Sequence, residues 1–173
     1  MKTRMISFDT STTKSGYACY ENGILVDKGV IDCSKEKDTL IRIENMCLEL
    51  VGMLKKYKPD IVVVEKPPFI NSPQTLIQLS EIVGCCRGWA ITQGFCEFIE
   101  YMPNEWRSLI KKKDEKIPKK REECKEWDIR KVYEYMPNIE FITDDNEADA
   151  ILIGLARIKQ FMLIENSVQE NYA

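Results

Sequence analysis

The 173-residue sequence contains no histidine. That absence removes the usual general base, the Ser-His-Asp and Cys-His arrangements, and every metal site with an imidazole ligand. Any catalysis must rest on carboxylates, lysines or a bound metal. The seven cysteines (Cys19, Cys33, Cys47, Cys85, Cys86, Cys96 and Cys124) are an odd number with no CxxC pair. Neither a disulfide framework nor a zinc site reads out, and reduced, buried thiols are expected. Long apolar runs are also missing. The longest are as short as Ile61 to Val64, and Lys2 and Arg4 at the N-terminus precede no stretch of signal-peptide length. The expectation is a cytoplasmic protein with no membrane partner.

A composition 44% hydrophobic and 31% charged fits one compact domain with a real core. We assign it to residues 1–164, followed by a polar, frayed tail over 165–173. The net charge of −3 is unevenly spread: residues 107–131 carry eleven Lys and Arg against six Asp and Glu, a local +5 on a body of −8. A basic surface on an acidic body suits a protein that holds phosphates in one place and metal ions in another. A solvated lysine-rich loop and helix would look the same on charge alone.

Strands are predicted over Thr3 to Phe8, Tyr17 to Tyr20 and Ile24 to Ile31, the first two flanking a polar turn from Asp9 to Gly16. Leu40, Ile43, Cys47, Leu50, Val51 and Leu54 recur at helical spacing until Pro59 ends the helix. Ile61 to Val64 is a β-branched run of the kind buried on both faces of a sheet. Ser72-Pro73 then caps a helix to about Ile91, and Phe95 to Tyr101 reads as a fifth strand. Pro103 opens a short helix holding Trp106. A lysine-rich loop from Lys111 to Pro118 follows, and two helices, Pro118 to Tyr135 and Asp144 to Met162, complete the chain. This order predicts an α/β fold: a five-stranded mixed sheet, three antiparallel strands and then parallel ones, flanked by helices.

Three acids close apolar elements instead of lying on solvated faces. Asp9 ends the first strand and Glu65 ends the buried one, both at the carboxyl ends of strands, where α/β sheets gather ligand sites. Asp149 sits in the first two turns of the last helix, where Asp144 is the better cap and Glu147 takes the reciprocal capping-box position. Clustered carboxylates repel unless a cation neutralises them. Mg²⁺ does so with oxygen ligands, and two such ions about 4 Å apart can hydrolyse a phosphodiester without histidine. Taken singly, each acid could equally be a turn residue, a strand-end ion pair or a helix-terminus charge.

In their order and setting, Phe8-Asp9-Thr10-Ser11, Val63-Val64-Glu65 and Ala148-Asp149-Ala150 resemble the RuvC-type Holliday-junction resolvases of the RNase H-like superfamily, which include phage-borne members. The resemblance spans about residues 3 to 160 and rests on the three motifs together. It implies an RNase H-like fold and a dimeric endodeoxyribonuclease that cuts four-way DNA junctions symmetrically. It further implies dependence on Mg²⁺, two ions per site with Mn²⁺ able to substitute, and Asp9, Glu65 and Asp149 as metal ligands. The family's fourth ligand, Asp or His, lies three residues before the last; here that position is Asn146. At about 100° per residue, Asp145 lies roughly 40° from Asp149 around the helix and Asn146 roughly 60°, while Glu147 points away. Asp145 can therefore supply the missing charge, with Asn146 a neutral ligand or supporting donor.

Phe69, on a proline-stiffened loop, matches the family's aromatic wedge beside the junction point, where it would stack on an unpaired base; folding back on the core is the plainer reading. Arg107, Lys112, Lys113, Lys119, Lys120 and Arg121 are assigned to the phosphate-holding surface. Gly84 and Gly88 stand one helical turn apart, either packing on the protein's own sheet or, as the resemblance implies, helping to form the dimer interface. A debranching nuclease for flaps and forks fits the same residues. An actin-like ATPase or sugar kinase also opens on an Asp-Thr-Ser turn, but needs a duplicated subdomain and glycine-rich loops. Eight glycines without an adjacent pair supply neither. A pure DNA-binding module gains nothing from three clustered acids.

Overall fold

A computed structural model describes residues 3–67, 72–142 and 144–172, with backbone alone for 165–172. The strands are β1 (Arg4–Asp9), β2 (Lys14–Glu21), β3 (Ile24–Asp32), β4 (Ile61–Glu65) and β5 (Glu97–Tyr101). The helices are α1 (Thr39–Tyr57), α2 (Pro73–Gln93), α3 (Pro103–Ile110), α4 (Arg121–Tyr135) and α5 (Asp145–Tyr172). The sheet order is β3-β2-β1-β4-β5. The β3-β2 and β2-β1 pairs are antiparallel, and the β1-β4 and β4-β5 pairs parallel, as expected.

Alternation along the two central strands divides the core. Ile6, Phe8, Val62 and Val64 face one side, where α1 and α2 cover them with Met46, Leu50, Leu54 and Ile82. Met5 and Val63 face the other, against α5 and the α3–α4 segment. Val62, Val63 and Val64 are fully buried, which explains the unbroken β-branched run. Truncating one fully buried leucine such as Leu50 to alanine would cost about 2–5 kcal/mol.

Helix ends follow local chemistry. The Asp38 carboxylate caps the amides of Leu40 and Ile41, and Ser72 Oγ caps Thr75 with Pro73 in the first turn. Gly94, at φ 72°, closes α2 and delays β5 to Glu97, two residues later than expected. Helix α4 starts at Arg121 instead of Pro118, because Lys120 keeps an extended backbone at the cap. The chain from 165 to 172 continues α5 instead of fraying, since neither proline nor glycine follows Gly154. No helix among the described residues is long and apolar enough to cross a membrane.

Helix α5 is held tightly to the sheet. Ser7 Oγ donates to the Ala150 carbonyl at 2.7 Å, and Tyr20 Oη donates to that of Ile151 at 2.7 Å. Close approach needs glycine: a Cβ on Gly16 would lie 1.8 Å from the Asn146 carbonyl oxygen. These contacts bring the start of α5 against the carboxyl end of β1.

Candidate active site

The pleat that aims Ser7 at α5 aims Asp9, two residues on, the same way, and Glu65 follows Val63 likewise. Phe8 pairs with Val64 in parallel register, so Asp9 and Glu65 leave adjacent strands side by side. Asp149 descends from α5 above them. The three sequence-predicted acids therefore share one site.

Their electrostatics follow from that convergence. Burial, and then the charges of Glu65 and Asp145, raise the Asp9 carboxyl well above its ordinary range. Burial, then Asp9 and Asp128, do the same to Asp149. Glu65 is raised by burial, against the opposing hydrogen bond from Trp106. Asp149 Oδ1 is buried with no hydrogen-bond partner, a costly state for a carboxylate oxygen.

Helix α3 supplies parts that the sequence reading did not assign to the site. Trp106, fully buried, donates its indole N–H to Glu65 Oε2 at 2.7 Å. The Arg107 guanidinium lies 4.1 Å from the Trp106 ring, where stacking and charge both favour it. It donates from Nε to both carboxylate oxygens of Asp128, at 3.1 and 3.3 Å, and from Nη2 to Oδ2 at 2.7 Å. Nη2 also lies 3.6 Å from Asp149 Oδ2. Burial works against the Arg107 charge, but the carboxylates of Asp128, Asp149 and Glu65 outweigh it and raise its pKa. Arg107 thus turns inward to the acids and departs from the exposed lysine surface to which its charge run assigned it.

Asp128 was missed altogether. It is fully buried, and its carboxyl is raised by burial against the opposing Arg107 hydrogen bonds. A signal existed: on α4 it falls in the buried stripe of Trp127, Lys131 and Val132, where a charge demands an explanation.

Asp145 and Asn146, at the start of α5, are both engaged by neighbouring side chains. Asp145 contributes charge at Asp9, but its carboxylate is a third exposed and meets Lys125 Nζ at 2.6 Å. Lys125, twenty residues upstream on α4, holds that carboxylate in an ion pair. Asn146 donates its side-chain amide to Asp144 Oδ1 at 2.5 Å, and its backbone amide to the same oxygen at 3.0 Å. Glu147 points away from the acids, as expected, and meets Lys28 Nζ at 2.8 Å.

Lys112, Lys113, Lys119, Lys120 and Arg121 are exposed on the α3–α4 connection and the start of α4. Glu115 pins that connection. It takes Lys131 Nζ at 2.6 Å, Trp127 Nε1 at 2.9 Å and the Lys112 amide at 2.9 Å, and its pKa is lowered to about 2 because these bonds outweigh burial. Phe69 lies outside the described residues.

Among the described residues, no three His, Cys, Asp or Glu side chains stand as a ready metal-holding group. Glu65 is turned to Trp106, Asp149 to Arg107 and Asp145 to Lys125. The donor chemistry nevertheless fits a hard divalent cation: carboxylate oxygens only, mutually repelling, one of them orphaned.

No protein-family model matches the chain. The crossover junction endodeoxyribonuclease RuvC of Brachyspira hyodysenteriae is 30% identical over 109 residues, 61% of this chain and 68% of the relative. That of Geotalea uraniireducens is 32% identical over 95 residues, 53% of either chain. The structure of T. thermophilus RuvC in complex with a Holliday junction substrate superposes with a TM-score of 0.72 at 16% identity, over 93% of this chain and 96% of that one, so the α/β fold is the RNase H-like fold of RuvC. At 30% identity with the bacterial relative covered over 68% of its length, the chain belongs to the RuvC crossover junction endodeoxyribonuclease family.

Proposed function

We propose that this protein is a divalent-metal-dependent endodeoxyribonuclease that resolves four-way DNA junctions. The observation that carries the reading is the convergence of Asp9, Glu65 and Asp149 on one face, with a buried Asp149 oxygen left unpaired. Mg²⁺ is the natural cofactor, two ions per site with Mn²⁺ able to substitute, and Asp9, Glu65 and Asp149 are its holders. Asp145 and Asn146 border the site from the start of α5, Asp145 as charge and Asn146 as a neutral oxygen donor. When bound, the ions supply activation of the attacking water and stabilisation of the leaving oxygen.

The chain's own residues do the rest. Trp106 fixes the Glu65 carboxylate and excludes water behind it. Arg107 brings a fixed positive charge to the acids, where a phosphodiester would otherwise meet only negative charge. Lys112, Lys113, Lys119, Lys120 and Arg121 hold flanking phosphates, and Phe69 is assigned to the unpaired base at the branch point.

Paired nicks at a two-fold junction need two sites related by a two-fold axis, hence a homodimer. Helix α2 suits that interface. Gly84 and Gly88 have open space where a Cβ would stand, which sets aside packing on their own sheet, and Ile77 and Ile91 are exposed on the same helix. A DNA substrate and free cysteines fit the cytoplasm.

The test is a panel of synthetic four-way junction, flap and linear duplex, each with Mg²⁺ or EDTA. Paired symmetric nicks on the junction in Mg²⁺ alone support the resolvase. Equal cleavage of flaps would assign the broader debranching activity, and cutting in EDTA would overturn the metal dependence.

A further inference from the structure

We infer that Asp128 is a positioning residue of the cleavage reaction: it fixes the Arg107 guanidinium beside Asp149 and Glu65, and so builds the phosphate-facing cation rigidly into the site. The inference rests on the nuclease reading above and goes beyond it, since none of the three acid motifs in the sequence includes Asp128.

The geometry is specific. Asp128 Oδ2 accepts from Nη2 at 2.7 Å while both its oxygens accept from Nε, so the carboxylate grips one edge of the guanidinium plane. The guanidinium carbon stands over the face of the Trp106 ring, 4.1 Å from its centroid. An arginine held by an edge and a face has lost the freedom of its long side chain, and further ordering costs little when a phosphate arrives. The pair is enclosed: Asp128 is fully buried, and the Arg107 side chain is only 12% exposed. A pair that served only to neutralise surface charge would not need that enclosure.

Location matters as much as grip. Nη2, already bound to Asp128, reaches to 3.6 Å from Asp149 Oδ2, and the neighbouring residue Trp106 holds Glu65. One short helix therefore ties the cation to two of the three acids. Without Asp128, Asp149 and Glu65 would draw the guanidinium down onto themselves, where it would compete for the very oxygens the site needs.

The test combines Asp128→Asn, Arg107→Ala and the double variant. Junction cleavage is measured under single turnover in Mg²⁺, junction Kd in EDTA, and folding by thermal melting. Asp128→Asn should slow cleavage at least about tenfold, part of the roughly 10²–10³ lost when a donor to the reacting oxygen is removed outright. Its junction Kd should stay within about threefold, because the exposed basic connection still supplies most of the phosphate contacts. In the Arg107→Ala background, Asp128→Asn should cause no further loss. Millimolar guanidinium should restore cleavage to Arg107→Ala but not to the double variant, at melting temperatures that show both proteins folded. Wild-type cleavage by Asp128→Asn, an undiminished Asp128→Asn effect in the absence of Arg107, or equal guanidinium rescue of both Arg107→Ala proteins would each overturn the assignment. Asp9→Asn, run alongside, separates the readings. Full activity there would overturn the carboxylate site itself, whereas its inactivity beside a fully active Asp128→Asn would overturn only the role of Asp128.

Discussion

The Trp106 indole donates to Glu65 at 2.7 Å while its ring carries the Arg107 guanidinium at 4.1 Å, so a single buried side chain sets both an acid and the cation of the site. Trp106→Phe keeps most of the buried ring but leaves Glu65 without that donor, a loss of about 1.5–3 kcal/mol for a bond to a charged group. Junction cleavage in Mg²⁺ should fall clearly, and thermal melting should show a modest loss of stability. Wild-type cleavage rates in this variant would show that Glu65 needs no such support.

The carboxylates carry a stability cost when no cation is bound. Asp9 and Asp149 have pKa values raised by burial first and by neighbouring acids second. The folded protein therefore holds protons more tightly than the unfolded chain. Stability from these groups is present below the ordinary carboxylate pKa of about 3.9 and is lost as pH rises from there through the raised folded values. In EDTA near neutral pH, Asp9→Asn should melt higher than the unsubstituted protein, by about 2–4 °C per kcal/mol of repulsion relieved. Near pH 4 the difference should shrink, and Mg²⁺ should raise the melting temperature of the unsubstituted protein more than that of the variant. Calorimetry across this pH range checks all three outcomes.

Gly16 pairs with Asp9 across β1 and β2 and lies under the first turn of α5. Gly16→Ala would place a methyl 1.8 Å from a backbone carbonyl that cannot rotate away, so α5 must lift. A destabilisation of roughly 1–3 kcal/mol is expected from such overpacking, with a larger proportional loss of cleavage because Asp149 moves with the helix. Thermal melting and junction cleavage compared on one preparation separate the two effects.

Most of the scaffold was legible because its signals are local. The β-branched run from Ile61 to Val64 is fully or partly buried as a central strand, and Asp9 and Glu65 stand out as acids ending apolar strands. What was not legible depends on contacts between distant segments. Asp145 turns to Lys125 across a loop, a competition that helix angles cannot reveal. Arg107 heads a run of lysines and reads as one of them, yet Asp128 on another helix pulls it inward. Asp128 itself was hidden in a segment counted for its charge, although its place between Trp127 and Lys131 on the buried stripe of α4 marked it.

The exposed lysines make a separate prediction in ionic strength. Replacing Lys113, Lys119 and Lys120 with alanine should weaken junction binding similarly across DNA sequences. Each lysine that touches a phosphate should reduce the slope of log K against log salt by about 0.9. Glu115→Gln should weaken binding indirectly, because Glu115 holds the connection to Lys131 and Trp127. Salt titrations of junction binding distinguish these effects: a changed slope for the lysines, and a weaker affinity at nearly constant slope for Glu115.

The central claim is that Asp9, Glu65 and Asp149 form one metal-dependent cleavage site. Its most direct test is Mg²⁺-dependent nicking of a synthetic four-way junction by Asp9→Asn beside the unsubstituted protein, with junction affinity measured in EDTA. The account predicts paired nicks by the unsubstituted protein and none above background by Asp9→Asn, at comparable affinity. Nicking by Asp9→Asn at the unsubstituted rate would contradict it.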